Sequence, residues 1–278
     1  MQFVALEEWL AWQETLHPKS IDLGLDRVST VLERLGWKRP SCPVITIAGT
    51  KGKGSSVAIL DSIYRAAGYR VGTFTSPHLR RYNERISIAG RQISSTELCA
   101  IFERIDSARG EISLTYFEFN TLAALLAFET AHLDVWVLEV GMGGRLDAVN
   151  VVDADVALVT SIGLDHTEWL GTDLNSIARE KAGIFRDGRP AIFGSQQMPE
   201  AIAEVADQVG ASLLRAGHDF RFSQQVDCWS WSMGRASLID LPLPGIAGAI
   251  QLDNASSTLA IVQLLKTRVP VTQQTIVV

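Results

Sequence analysis

Cysteine is scarce in this chain: Cys42, Cys99 and Cys228 are the only three in 278 residues. They are far apart, odd in number and in no metal-ligand spacing, which excludes a disulfide framework and a cysteine-based zinc site. They read as reduced thiols in a cytosolic protein. Positive charge is also short, with 25 Lys and Arg against 31 Asp and Glu and a net charge of −6. No electrostatic footprint for nucleic acid results, so any basic groups act locally. Long apolar runs are missing too: a bilayer span needs about 18 residues or more, and Glu129, His132 and Asp134 interrupt the best candidate. The N-terminus carries acidic residues where a secretory signal has basic ones, and residues 1–12 read as a short amphipathic helix. Internal repeats and low-complexity tracts are absent. What remains is an ordinary soluble composition, 47% hydrophobic and 20% charged, with length for one large domain or one domain plus part of another.

The most informative stretch is 44–56. A β-branched apolar run ends at Gly49, Gly52 and Gly54 follow, and residues 57–67 carry helical periodicity. Strand, glycine-rich turn and helix in that order gather backbone N–H groups and a positive helix end at one spot, which suits a polyphosphate. Lys53 adds a mobile cation, and Ser55 and Ser56 are expected to cap the helix. The usual nucleotide loop has four residues before its Gly-Lys pair and a Ser or Thr directly after it. Here only Thr50 and Lys51 intervene, and Gly54 takes the hydroxyl position. A metal oxygen must then come from elsewhere in the chain. A tight turn with a surface lysine is the plainer reading, but two lysines among three glycines weigh against it.

The remaining segments supply candidates. A second helix is expected over 20–35, with Asp22 most simply its cap. Residues 69–75 read as a strand pairing in parallel with the first, in a βαβ unit. Ser76 then lies at the sheet's carboxyl edge, as a metal oxygen or an ordinary turn residue. The charge-rich 80–91 segment loops out with a hairpin near 86–90. Tyr116, Phe117 and Phe119 surround Glu118 ahead of a helix over 121–131; they are either core or a stacking surface for a flat heterocycle. Glu139 ends a buried-type strand over 134–140, where a carboxylate is costly unless paired or metal-bound. Gly141, Gly143 and Gly144 then turn the chain into Arg145, Leu146 and Asp147. His166 follows a strand over 155–162. It is structural, or else it joins Ser76 and Glu139 in an oxygen and nitrogen shell for a divalent ion. Lys181 sits in a helix over 174–184, a strand over 190–193 and a helix over 200–209 follow, and several short strands fill 212–241. Residues 241–245 look like a linker ahead of a helix from 253.

Seven segments in order, 21–27, 48–55, 76–79, 114–118, 138–148, 164–167 and 179–185, resemble the folylpolyglutamate synthases. The resemblance is to the bacterial bifunctional dihydrofolate synthase/folylpolyglutamate synthases in particular, relatives of the Mur peptidoglycan ligases. It implies an α/β fold: a P-loop, Mur-ligase-like ATPase domain over 1–244, with a mostly parallel sheet flanked by helices. Residues 245–278 would be a linker and the incomplete start of a C-terminal Rossmann-like glutamate-ligase domain. In the family that domain brings an Arg and an Asp to ATP and helps bind glutamate. The implied activity is an ATP-dependent amide ligase joining L-glutamate to dihydropteroate and to tetrahydrofolate.

The same resemblance assigns residues. Gly52, Lys53, Gly54 and Ser55 would cradle ATP, with Asn254 reaching it from the second domain. Ser76, Glu139 and His166 would hold magnesium, with potassium as a further cation. Lys181 would be carbamylated, and Lys53, Lys181 and His166 would serve catalysis. Asp22, Leu23, Gly24, Thr115, Tyr116, Phe117, Glu118, Leu146, Asp147 and Ala148 would line the pterin pocket. Lys51 stands where many members have Asn. A cytoplasmic monomer without membrane or nucleic-acid partner is the corresponding expectation. A Mur-type ligase of UDP-sugar peptides is the competing enzyme, disfavoured by 21–27 and 115–118. A nucleotide-binding module without turnover is the non-enzymatic alternative.

Overall fold

A computed structural model of the chain describes residues 3–246 and 248–276. Its elements begin with α1 (Leu6–Leu16), α2 (Asp26–Leu35), β1 (Val44–Ala48), α3 (Lys53–Ala66) and β2 (Val71–Phe74). Next come β3 (Ile86–Ile88), β4 (Arg91–Gln92), α4 (Ser95–Arg109), α5 (Tyr116–Thr130) and β5 (Val135–Glu139). The middle continues with β6 (Val156–Val159), α6 (Thr167–Leu170), α7 (Leu174–Ala182), β7 (Pro190–Phe193), α8 (Glu200–Val209) and β8 (Ser212–Arg215). The chain then forms β9 (Phe220–Gln224), β10 (Cys228–Met233), β11 (Ala236–Pro242), α9 (Gln251–Leu264) and α10 (Gln273–Ile276).

An eight-stranded sheet runs in the order β4-β3-β2-β5-β1-β6-β7-β8. Its last six strands are parallel, and β3 and β4 form an antiparallel edge. Parallel strands covered on both faces are apolar throughout, and β1, β2, β5 and β6 are each buried at every position. Side-chain alternation sorts them between two cores. Val44, Phe74, Trp136, Leu138 and Val159 meet α1, α2, α4, α5, α7 and α8 on one face. Ile45, Ile47, Val71, Val137 and Leu158 meet α3, α9 and the three-stranded sheet β11-β10-β9 on the other. Trp229 and Trp231 both point into that second core.

Several local expectations need correction. The first two strands are parallel in one sheet, but β5 lies between them, so they do not pair directly. Asp22 is no helix cap: α2 begins four residues later with Leu25 at its N-cap. Ser55 and Ser56 lie inside α3, whose N-cap is Gly52, and no side chain caps it. Ser56 is buried, with its hydroxyl unpartnered among the described residues. The 115–120 aromatic cluster is the first turns of α5. Thr115 is the cap: its Oγ1 accepts from the Glu118 N–H, and Glu118 accepts from the Thr115 N–H at 2.7 Å. The helix thus starts five residues before the expected Thr121, because the β-branched and aromatic residues of 115–119 mask its capping box.

Of the expected helix over 1–12, residues 1–2 lie outside the described residues, and α1 starts at Leu6. Residues 247, 277 and 278 of the 245–278 segment also lie outside them. Helix α9 follows the expected boundary at 244/245, yet its Leu259, Ala260 and Ile261 are buried in the same core as β1 and β5.

Candidate active site

The carboxyl ends of β1, β2, β5 and β6 meet at one edge of the sheet. At the end of β1 the chain reverses through Gly49 and Gly52, with φ of 143° and 91°, a region L-residues avoid. A Cβ on Gly49 would lie 1.9 Å from Thr160 Oγ1, and one on Gly52 would lie 2.3 Å from Asn254 Oδ1. The loop is clasped from behind: Thr50 N–H donates to the Ser161 carbonyl at 2.9 Å, and Thr160 Oγ1 donates to the Lys51 carbonyl at 2.7 Å. The Asn254 side chain lies against Gly52 of this loop. A groove of about 270 Å³ runs beside it, lined by Thr50, Lys51, Gly163, Gly194, Asp253 and Asn254.

Two amines converge on the loop. Lys53 Nζ donates to the Gly49 carbonyl at 3.1 Å and Lys181 Nζ to the same oxygen at 3.0 Å. Lys181 does not face solvent. Only 2% of it is exposed, and burial, then the nearby Lys53 charge, pulls its amine down to about 8. Gly144 lets α7 approach this closely: a Cβ there would sit 2.7 Å from the backbone oxygens of Glu180 and Lys181.

Glu139 ends β5 beside the loop, 4% exposed, and accepts from the Ser76 N–H at 3.3 Å. Burial pushes its carboxyl up to about 7, against the opposing pull of Lys53. Asp147, equally enclosed, is pushed up to about 6 by burial although it accepts from the Met142 and Val149 N–H groups. Gly54 leaves room beside Glu139: a Cβ there would still be 3.7 Å from Oε2. His166 sits in the left-handed region at φ 48°, with its side chain 47% exposed and Asp165 at 3.7 Å. Ser76 and His166 line one cavity, and Ser76 touches Glu139. No direct contact joins His166 to Glu139 among the described residues. Nor does any group of three or more His, Cys, Asp or Glu form a metal cluster there; the expected shell holds two such residues and a serine. A buried carboxylate with one weak donor, an imidazole and a hydroxyl fit a hard divalent cation.

Because burial raises both carboxyls, the folded chain binds more protons than the unfolded one between the ordinary range and these values. Metal-free stability therefore falls as pH rises through that window. Glu139→Gln is expected to flatten the fall between about pH 4.5 and 7, measured as urea midpoints in chelator. An unaltered slope would mean that Glu139 stays solvated.

The cavity shared by Ser76 and His166 measures about 380 Å³ and is also lined by Asp22, Leu23, Gly24, Lys53, Arg85, Thr115, Phe117, Glu118, Leu146, Asp147 and Ala148. The three expected pterin segments thus meet, and the Gly24 N–H donates to the Leu146 carbonyl at 3.2 Å to tie two of them together. Phe117 faces the cavity, Phe119 belongs to the core, and Tyr116 is half-buried behind the wall. Two arginines here carried no assigned role in the sequence reading. Arg27 bridges Asp22 Oδ2 at 2.6 Å and Glu118 Oε1 at 3.0 Å. Arg85 lies in the cavity wall, in a stretch whose charge made it read as a solvated loop. Arg27 closes the 21–27 segment, a signal that was legible; nothing local marks Arg85 as buried.

Fold and site together define an α/β domain with a mostly parallel sheet, whose glycine-rich strand-to-helix loop lies beside a cavity at the sheet edge. The chain belongs to the Mur ligase family: the Mur ligase middle domain matches residues 47–261. It is 53% identical over 255 residues to the dihydrofolate synthase/folylpolyglutamate synthase of Escherichia coli K12, covering 92% of this chain and 60% of that protein. The Bacillus subtilis protein of the same name is 34% identical, with 82% and 58% covered. E. coli FolC in complex with DHPP and ADP superposes with a TM-score of 0.93 at 50% identity, over 98% of this chain and 64% of that one. The Yersinia pestis bifunctional enzyme complexed with AMPPNP and Mn gives 0.91 at 49%, over 98% and 65%. The chain thus spans about 60% of the length of the curated relatives it matches.

Proposed function

We propose that the chain is the ATP-binding unit of an ATP-dependent acid–amino-acid ligase. It would join L-glutamate to dihydropteroate, giving dihydrofolate, and to tetrahydrofolate, extending its glutamate tail. One observation carries this reading: Lys53 belongs both to the glycine loop and to the wall of the cavity. A phosphoryl group held by the loop and a carboxylate in the cavity would then meet at one cation. A carboxylate is a poor electrophile at neutral pH. Its oxygen would attack the γ-phosphorus, the bridging bond to ADP would break, and an acyl phosphate would result. The amine of glutamate would add to that carbonyl, lose a proton and expel phosphate, leaving an amide.

Gly52, Gly54 and Ser55 supply N–H groups at the start of α3, with Asn254 against Gly52. Ser76, Glu139 and His166 would hold magnesium, which when bound supplies positive charge to the phosphate oxygens. Lys181 suits carbamylation, because burial gives it a larger share of the free amine that attacks carbon dioxide. Potassium rests on the family resemblance alone. Asp22 and Glu118, held by Arg27, line the cavity with carboxylates to which a pterin ring would donate.

We place the nucleotide unit at 1–244, with 245–278 leading towards a glutamate-ligase domain and α9 contributing Asn254 to the loop. A cytoplasmic monomer remains the expectation. Cys42, Cys99 and Cys228 are free, and no helix among the described residues is long and apolar enough to cross a membrane. The test is phosphate release from ATP with magnesium and glutamate, adding dihydropteroate, tetrahydrofolate or a UDP-sugar peptide. Release with either pterin alone supports the reading; release with the UDP-sugar peptide alone, or with none while ATP still binds, contradicts it.

A further inference from the structure

We propose that Arg85 is the receptor for the acceptor's carboxylate, turning that group towards Lys53; this rests on the acceptor reading above. Arg85 ends a short 3-10 turn, Tyr82–Arg85, that feeds β3, and only 8% of it is exposed. Its Nε donates to His78 Nδ1 at 2.8 Å. The guanidinium carbon lies 5.9 Å from the Tyr82 ring centroid and 5.7 Å from that of Tyr116. Aromatic faces fix the plane of the guanidinium but cannot neutralise it.

Among the described residues no carboxylate lies within ion-pair distance of Arg85, and its two terminal nitrogens bond no protein acceptor. An arginine is always charged, and a buried charge is costly unless compensated; Glu139 acts on Arg85 only at longer range, without an ion pair, which leaves the guanidinium fork open to an anion. It lines the same cavity as Lys53, Ser76 and Phe117, so an anion on its fork would lie in that cavity.

The cavity wall carries both signs of charge. Asp22 and Glu118 engage Arg27 and leave it no free fork. Lys53 and Arg85 line the same cavity, as do Phe117 and the buried Asp147. A flat donor-rich heterocycle joined to an aryl carboxylate has matching polarity, ring to the acids and carboxylate to the arginine. The planar fork of Arg85 meets two carboxylate oxygens at once, which the point charge of a lysine cannot do. Held so, a carboxylate would keep one oxygen directed at the phosphoryl group.

The test is calorimetric titration of the wild-type chain and of the Arg85→Gln and Arg85→Lys variants. Three probes are used: dihydropteroate, its carboxamide analogue, and ATP with magnesium. Arg85→Gln is expected to weaken dihydropteroate about 10- to 100-fold, with Arg85→Lys recovering only part. The carboxamide and ATP should bind all three proteins alike. Equal losses for acid and carboxamide would assign Arg85 to packing and overturn the proposal, as would unchanged binding of the acid. If neither ring compound binds the wild-type chain, the acceptor reading itself falls, and this one with it.

Discussion

Lys53→Ala is expected to weaken ATP binding about 10- to 100-fold, the scale of a charge-assisted hydrogen bond to a phosphate. The fold should be little disturbed, because among the described residues the Lys53 amine hydrogen-bonds only the Gly49 carbonyl, which Lys181 also engages. The loss should exceed that of Lys51→Ala, since Lys51 is exposed and binds through its backbone. Equal affinity in wild type and Lys53→Ala by calorimetry, at matched magnesium, would place the phosphates away from this loop.

Gly49→Ala is expected to be the more damaging change, costing roughly 2–5 kcal/mol of stability. Two effects add. A φ of 143° is strained for any L-residue, and the new methyl would stand 1.9 Å from Thr160 Oγ1. Thr160 cannot swing aside cheaply, because its hydroxyl donates to the Ala48 and Lys51 carbonyls and its side chain is buried. A double variant with Thr160→Ala should recover part of the loss, the steric part, while the backbone strain stays. Urea unfolding reads both. Full recovery would show that φ carries no cost, and no loss in Gly49→Ala would mean that the turn relaxes freely. Both amines donate to the Gly49 carbonyl, so nucleotide affinity should drop along with stability.

The sheet-edge logic explains why so much of the site was legible. Glu139 was conspicuous as a carboxylate closing an apolar run, and Ser76 and His166 as polar residues just beyond two more such runs. A parallel sheet gathers those ends at one edge whatever the strand order. The direct pairing of β1 with β2 was misjudged, yet Ser76 and Glu139 still meet. Local sequence could not decide what depends on a distant partner. Asp22 looks like a cap until Arg27 turns back to it. Lys181 looks solvated until Gly144 lets α7 close over the loop. Arg85 looks like loop charge until Tyr82 and Tyr116 enclose it. The position of α9 is of the same kind: Leu259 and Ile261 belong to the core of β1 and β5, a contact across some two hundred residues that no local pattern announces.

In the proposed function one cation, Lys53, lies between a nucleotide on the glycine loop and an acceptor in the adjoining cavity. The most direct measurement is a crystal structure of this chain with an ATP analogue, a divalent metal and dihydropteroate. Phosphates are expected on the N–H groups of 52–55, the metal at Glu139, and the acceptor's carboxylate between Lys53 and Arg85. A nucleotide bound elsewhere, or an acceptor whose carboxylate points away from Lys53, would contradict it.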